Sequence, residues 1–78
     1  ALKEEKRTMI FYESPHRISK TLEQFREIFG DERQVSISRE ISKKFEETIR
    51  GSLFELSTLY KDKQAKGEFV IVLAGKQD

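Results

Sequence analysis

The chain contains no cysteine, a single proline and four glycines among its 78 residues. Without cysteine, neither a disulfide nor a cysteine-based zinc site can stabilise the fold, and nothing indicates an oxidising compartment. No apolar run approaches the roughly 20 residues of a membrane span, and the opening segment ALKEEKR lacks the pattern of a secretory signal. These absences predict a cytoplasmic protein.

An excess of charge of one sign is also missing. The chain has 15 basic and 14 acidic residues, which gives a net charge of +1, and the two signs are mixed along the sequence. Such a pattern is typical of a solvated surface and does not by itself indicate nucleic-acid binding. No group of His, Asp and Glu residues has the spacing of metal ligands, so no metal site is predicted. The length predicts a single domain over residues 1–78.

The first half of the chain predicts a strand followed by a helix. Residues 8–12 are apolar and aromatic, which suits a strand covered on both faces. Ser14 is a suitable helix N-cap, Pro15 suits the first helical position, and Gly30 suits the helix end. The helix presents one apolar face, formed by Ile18, Leu22, Phe25, Ile28 and Phe29.

The second half predicts three further strands and a second helix. Strands are expected at 34–39, weakly at 47–50 up to Gly51, and at 68–74, with a connection of uncertain form over 40–46. Ser52 and Glu55 have capping-box spacing and open a helix. That helix buries Leu53, Leu56, Leu59 and Tyr60.

The order β-α-β-β-α-β predicts an α/β (α+β) domain with a mixed sheet and two helices. Its simplest version is a ferredoxin-like sandwich, in which the last strand is an edge. Residues 69–73 are uninterrupted apolar residues, however, as in interior strands. We therefore expect a further strand or a partner subunit to cover the last strand.

The corner between the first strand and the first helix carries the densest chemistry. Glu13, Ser14, His16 and Arg17 offer a carboxylate, a hydroxyl, an imidazole and a guanidinium within five positions. Such corners hold ligands in many α/β proteins, because side chains leave the sheet edge beside free helix N–H groups. Cations in a first helical turn oppose the helix dipole, so stability alone does not explain His16 and Arg17.

Four segments resemble one protein family. TMIFYESPHR at 8–17 is similar to its F-Y-E-S-P-H-R segment, and REISKKFEE at 39–47 is similar to R-E-[LI]-[TS]-K-x-x-E-E. RGSLFEL at 50–56 and KGEFV at 66–70 match two further motifs in the same order. The family is that of ribosomal RNA small subunit methyltransferase I, within the tetrapyrrole (corrin/porphyrin) methylase superfamily.

The resemblance implies a two-domain enzyme that binds S-adenosylmethionine (SAM) between its domains and methylates a ribose 2′-hydroxyl of 16S rRNA in the small ribosomal subunit. It implies that this chain is most of the C-terminal domain, without the N-terminal cofactor-loop domain, and is inactive alone. It also implies a homodimer.

The resemblance implies specific site residues as well. Tyr12, Glu13, Ser14 and, through its backbone, Ile41 would contact the cofactor. Further calls rest on the residues themselves. Arg17 can hold a phosphate, and Arg39, Lys43, Lys44 and Arg50 form a basic cluster that can contact the RNA backbone. Parallel-strand geometry would bring Arg39 close to Glu13 at one sheet edge. The catalytic residue is unknown; His16 and Arg17 are weak candidates.

Simpler interpretations remain open for each of these residues. Glu13 can be a solvated carboxylate near a helix start, and Arg17 can simply pair with it one turn later. The cations near 39–50 are interleaved with Glu40, Glu46 and Glu47, which fits an ordinary solvated surface.

Two other functions also remain open. A tetrapyrrole methylase acting on a precorrin or uroporphyrinogen is disfavoured by S-P-H-R after F-Y-E, which matches the rRNA enzyme. The other is a stand-alone βαββαβ module that binds RNA or a regulatory ligand. Its RNA version is disfavoured, because this sequence lacks the aromatic RNA-stacking motif expected on a central strand.

Overall fold

A computed structural model describes residues 2–42, 45–61 and 66–77 of the chain. After a short 3-10 turn at Leu2–Glu4, the elements are β1 (Met9–Glu13), α1 (Ile18–Phe29), β2 (Gln34–Ser42), β3 (Phe45–Ser52), α2 (Leu53–Tyr60) and β4 (Glu68–Leu73). The predicted β-α-β-β-α-β order and the α+β class are confirmed.

The four strands form one sheet in the order β1-β4-β2-β3. Every neighbouring pair is antiparallel. The prediction of a mixed sheet is therefore wrong for the described strands. The reason lies in the crossover through α1. Through this crossover β2 runs parallel to β1, but the two strands are separated by the width of one strand. β4 lies between them and runs in the opposite direction.

β4 is therefore an interior strand, as its uninterrupted apolar residues indicate. The ferredoxin-like arrangement, with the last strand at an edge, is wrong. The cover for β4 comes from β1 and β2 of the same chain, which pair with it along almost its whole length. No strand from outside the chain is needed to explain the hydrophobicity of residues 69–73.

Both helices pack on one face of the sheet. Alternate residues of the strands point to this face and meet the apolar sides of α1 and α2. The buried apolar core consists of Ile18, Leu22, Phe29, Val35, Ile37, Leu53, Leu56, Tyr60, Phe69, Ile71 and Leu73. Leu59, which was predicted to be buried, is 47% exposed because it lies on the outer side of α2.

The opposite side of the sheet, here called the open face, is not covered by any described residue. On β1, Ile10 and Tyr12 are 60% and 80% exposed. The expectation that this strand is covered on both faces is therefore wrong for the described part of the chain. The open face consists of Ile10, Tyr12, Ser36, Ser38, Glu40, Glu46, Thr48, Arg50, Glu68, Val70 and Val72.

The predicted start of the first helix is three residues too early. The Arg17 N–H donates to the Ser14 carbonyl over 3.1 Å, which closes a turn with Pro15 in its second position. Helix α1 begins only at Ile18, and no side chain caps it. The Ser-Pro pair thus initiates a turn rather than a helix. The predicted helix end at Gly30, which has a φ of 92°, is confirmed.

The second half of the chain follows the predicted pattern with longer strands. The connection expected at 40–46 is a hairpin in which Ser42 is paired with Phe45. Gly51 does not break β3, which continues to Ser52. Ser52 is also the N-cap of α2, and the predicted capping box is formed in both directions between Ser52 and Glu55.

The two serines that precede helices make a direct comparison possible. We expect Ser52→Ala to lower the free energy of unfolding by about 1 kcal/mol, because the N–H of Glu55 loses its acceptor. Ser14→Ala should change it by less than about 0.5 kcal/mol, because Ser14 does not cap α1.

Urea unfolding followed by circular dichroism measures both variants. Thr58→Ala, at an exposed position within α2, is the control for the change in helix propensity. Equal losses for Ser52→Ala and Ser14→Ala would contradict the observed helix starts.

Candidate functional site

A cleft of about 400 Å³ lies at the end of the sheet where β1 and β2 finish and β4 begins. Its walls include the whole predicted corner from Tyr12 to Pro15. The opposite side comes from residues that sequence reasoning did not select, namely Glu40, Glu68, Phe69 and Val70. Antiparallel pairing explains them, because the start of β4 lies beside the ends of β1 and β2. The corner therefore forms part of a concave surface.

Glu13 is held firmly within this corner. Its Oε2 accepts a hydrogen bond from the Thr21 hydroxyl over 2.7 Å, and its Oε1 accepts one from the Ser14 N–H over 2.9 Å. The Arg17 Nε lies 3.8 Å from Oε1. The carboxylate thus ties β1 to α1 and braces the turn between them, and the simple Glu13–Arg17 pairing considered above is present.

These contacts lower the pKa of Glu13 below its ordinary value of 4.5. The Thr21 hydroxyl contributes most, the Ser14 N–H and the Arg17 charge contribute less, and burial opposes them. Because the folded state favours the charged form, the contacts stabilise the protein above pH 4.5. That contribution is lost as the pH falls from 4.5 through the lower pKa of the folded state.

Thr21 is a residue that the sequence analysis missed. It is buried and lies within the apolar side of α1, next to Leu22. A buried threonine on the core-facing side of an amphipathic helix requires a hydrogen-bond partner for its hydroxyl. The position of Thr21 in the sequence could therefore have indicated a polar contact at the corner.

His16 and Arg17 lie in the turn that precedes α1 and not in its first turn, so the argument from the helix dipole does not apply as stated. Both are exposed; the Arg17 side chain retains 59% of its accessible surface. Arg17 projects from the same turn that borders the cleft. Because its contact with the Glu13 carboxylate is long, at 3.8 Å, the guanidinium of Arg17 can instead pair with an anionic group of a ligand.

Arg39 lies in the same row of the sheet as Glu13, with β4 between their strands. Both residues are in register with Phe69, one on each side of β4, and Arg39 is also opposite Glu47 on β3. The Arg39 side chain is only 14% exposed, and its Nη2 lies 3.6 Å from the Glu47 carboxylate. Its Nε is buried and has no hydrogen-bond partner among the described residues. The Arg39 side chain is thus largely buried, in the row of residues that includes Phe69 and lies next to the cleft.

The remaining predicted site residues are less fully described. The backbone of Ile41 lies at an irregularity between Glu40 and Ser42, where the β2–β3 register shifts. Bulges of this kind occur often beside active sites, because they redirect the backbone. The side chain of Ile41 and both Lys43 and Lys44 lie outside the described residues.

The model of the Tetrapyrrole (Corrin/Porphyrin) Methylases matches residues 1–57. The chain belongs to this family. Within the tetrapyrrole methylase family, the relatives reported next carry the name that the resemblance predicted.

Three such relatives are named Ribosomal RNA small subunit methyltransferase I. The chain is 44% identical to the protein of Bacillus subtilis over 78 residues, which is 100% of the chain and 26% of the relative. It is 46% identical to the Pseudomonas aeruginosa protein, with 99% and 28% covered, and 42% identical to the Thermotoga maritima protein, with 99% and 34% covered. The chain thus spans roughly a quarter to a third of these relatives.

The part of the chain that the structure describes contains neither a candidate metal site nor a candidate membrane span. No group of three or more His, Asp and Glu side chains there could hold a metal ion. No helix there has the length and the apolar composition needed to cross a membrane.

The contact between Thr21 and Glu13 can be tested by titration. In Thr21→Val the pKa of Glu13 should rise towards 4.5, because the strongest donor to the carboxylate is gone. The free energy of unfolding should then fall less steeply as the pH drops below 4.5. Carbon-detected NMR of the Glu13 carboxyl group measures the pKa.

Thr58→Val is a matched control, since Thr58 is exposed on α2 and far in sequence from the corner. An unchanged Glu13 titration in Thr21→Val would contradict the assigned role of this hydroxyl.

Proposed function

We propose that the chain is part of a SAM-dependent methyltransferase that modifies a ribose 2′-hydroxyl of 16S rRNA. The observation that carries the proposal is the cleft at the Tyr12–Pro15 corner, within a chain that matches rRNA small subunit methyltransferases along its whole length. On this proposal residues 1–78 are most of a C-terminal domain and supply one wall of the binding site. Its place of action would be the cytoplasm, where ribosomal subunits assemble.

The residues around the cleft are suited to part of a nucleoside ligand such as SAM. The Tyr12 ring is 80% exposed beside Pro15 and Val70, which offers an apolar surface to a flat group. On this proposal the backbone of Glu13 and the irregular backbone at Ile41 provide contacts near the same edge. Ser14 contributes its hydroxyl, because its N–H and its carbonyl already bond to the Glu13 carboxylate and the Arg17 N–H. The Glu13 carboxylate is already engaged by Thr21, so its role is to hold this backbone in place.

Bound SAM supplies a methyl group activated by a sulfonium. The transfer is an in-line displacement, so the main task of the protein is to hold the nucleophile and the methyl group in line. The corner can contribute positioning, because its turn is braced to α1 through Glu13 and Thr21. We assign no catalytic base. His16 is exposed in the turn, and deprotonation of a ribose hydroxyl requires a strongly activated group.

Charge limits the direction from which RNA can approach. Glu40 and Glu68 lie along the cleft, whereas Arg17 is exposed on its α1 side. An RNA phosphate would therefore meet Arg17 from the side of the turn, and Arg39 only if its contact with Glu47 opens. Lys43 and Lys44 complete the proposed RNA contacts, and the enzyme is proposed to act as a homodimer.

The role of Arg17 can be tested in the full-length protein that contains this chain. Arg17→Ala should reduce methyl transfer to 30S subunits about tenfold, because a charge-assisted contact to phosphate is lost. The loss should appear mainly in KM for the subunit. Transfer of a tritiated methyl group from SAM to undermethylated 30S subunits measures it.

Lys20→Ala is the matched control, because Lys20 is an exposed cation one turn further along α1. Unchanged kinetics in Arg17→Ala would remove Arg17 from the site. Methyl transfer by purified residues 1–78 alone would contradict the proposal that the cleft needs a second wall.

A further inference from the structure

The cleft at the corner has acidic walls. Glu13, Glu40 and Glu68 line it, and no lysine, arginine or histidine of the described chain does. Both oxygens of Glu13 already accept hydrogen bonds from within the chain. Glu40 and Glu68 therefore supply most of the charge that a ligand in the cleft meets.

Glu40 and Glu68 are not neutralised by the part of the chain that the structure describes. Both are exposed on the open face, and strand pairing places them directly opposite one another on β2 and β4. No described cation forms an ion pair with either carboxylate. Like charges directly opposite one another destabilise a sheet. The stability of the fold therefore does not explain this pair, whereas a positively charged ligand would.

The proposed methyl donor carries the complementary charge. The sulfonium of SAM is positive, and its amino acid part is a zwitterion without net charge. On transfer, the methyl group passes from sulfur to the ribose oxygen, the sulfur keeps the electron pair of the broken C–S bond, and the hydroxyl proton passes to water. The product, S-adenosylhomocysteine (SAH), has the same nucleoside and amino acid parts but a neutral sulfur.

The two carboxylates can attract the sulfonium without a fixed contact. A charge inside a cleft of about 400 Å³ lies within roughly 10 Å of the walls, the distance over which charges interact at 0.1 M ionic strength. A sulfonium has no N–H or O–H to donate to a carboxylate. Its attraction to Glu40 and Glu68 is therefore electrostatic, and it is lost when the sulfur becomes neutral.

We propose that Glu40 and Glu68 are specificity-determining residues, which favour SAM over SAH through the positive charge on sulfur. This role rests on the proposed function, which supplies SAM as the ligand. After the methyl group has left, the two carboxylates no longer attract the sulfur, and release of the product becomes easier. The same charges repel RNA phosphates from the part of the cleft that the methyl donor occupies.

Hydrogen bonding would give the two carboxylates a different role. Acidic side chains bind the ribose hydroxyls of nucleotides in other α/β folds. SAM and SAH share these hydroxyls, so the loss of such a contact would weaken both ligands equally. The ratio of the two affinities therefore separates attraction to the sulfonium from hydrogen bonding to the ribose.

Isothermal titration calorimetry with SAM and with SAH, on the full-length protein without RNA, measures this ratio. Glu40→Gln and Glu68→Gln should each weaken SAM binding about threefold relative to SAH, and the double variant about tenfold, because the effects of two fixed charges add. Glu27→Gln is the matched control. It removes the same charge from an exposed position near the end of α1 that is remote from the corner, and should leave the ratio unchanged.

Salt provides a measurement that needs no variant. In the original protein, a rise in ionic strength from about 0.05 M to about 0.5 M should weaken SAM binding more than SAH binding, because screening acts on the sulfonium. The difference should disappear in the double variant. Circular dichroism should show that the variants remain folded, since each replacement removes a like-charge contact.

The outcomes distinguish the role of the carboxylates from the proposed function. Equal losses of SAM and SAH affinity in the variants, or an equal salt dependence of the two ligands in the original protein, would overturn the role of Glu40 and Glu68 alone. No binding of SAM by the original protein would contradict the proposed function as well. A changed ratio without methyl transfer to 30S subunits would support the role and contradict only the proposed RNA substrate.

Discussion

The pairing of β4 between β1 and β2 is the constraint on which the rest of the structure depends. It satisfies the backbone hydrogen bonds of the most apolar strand on both sides and brings Phe69 into the core. It also brings Glu13 and Arg39 into one row, although they are 26 positions apart in the sequence. The cleft follows from the same pairing, because the start of β4 separates the ends of its two neighbours. Core formation and site formation are therefore one event in this fold.

Glu13 shows how folding and the site share a side chain. A carboxylate at the end of a strand could have been free to meet a ligand, yet both of its oxygens accept hydrogen bonds from the chain itself. The contacts define the path of the turn from Ser14 to Arg17 and the distance between β1 and α1. What remains accessible at the corner is the Tyr12 ring, the turn backbone and Arg17. The interpretation of Glu13 as a mere solvated carboxylate is thus too weak, and a direct ligand contact is not needed to explain it.

Much of the fold could be predicted from local patterns, and the errors have identifiable causes. The capping box of α2 and the glycine that ends α1 depend on neighbouring residues, and both predictions were correct. The start of α1 was missed because Ser-Pro suits a turn as well as a helix start, and the choice depends on Glu13, whose partner Thr21 is eight residues away. The interior position of β4 could be predicted from its composition. Its neighbours could not, because composition does not show which strands pair. The cleft residues Glu40 and Glu68 were missed for the same reason.

The distribution of charge also bears on the proposed action on RNA. A net charge of +1 hides a strong asymmetry, because carboxylates border the cleft while Arg17 lies on the helix side of it. The electrostatic attraction that dominates binding to a phosphate backbone would thus be weak at the cleft itself. On the proposed function, this domain contributes to the nucleotide site through shape and hydrogen bonds, and most of the attraction for RNA comes from other cationic surfaces.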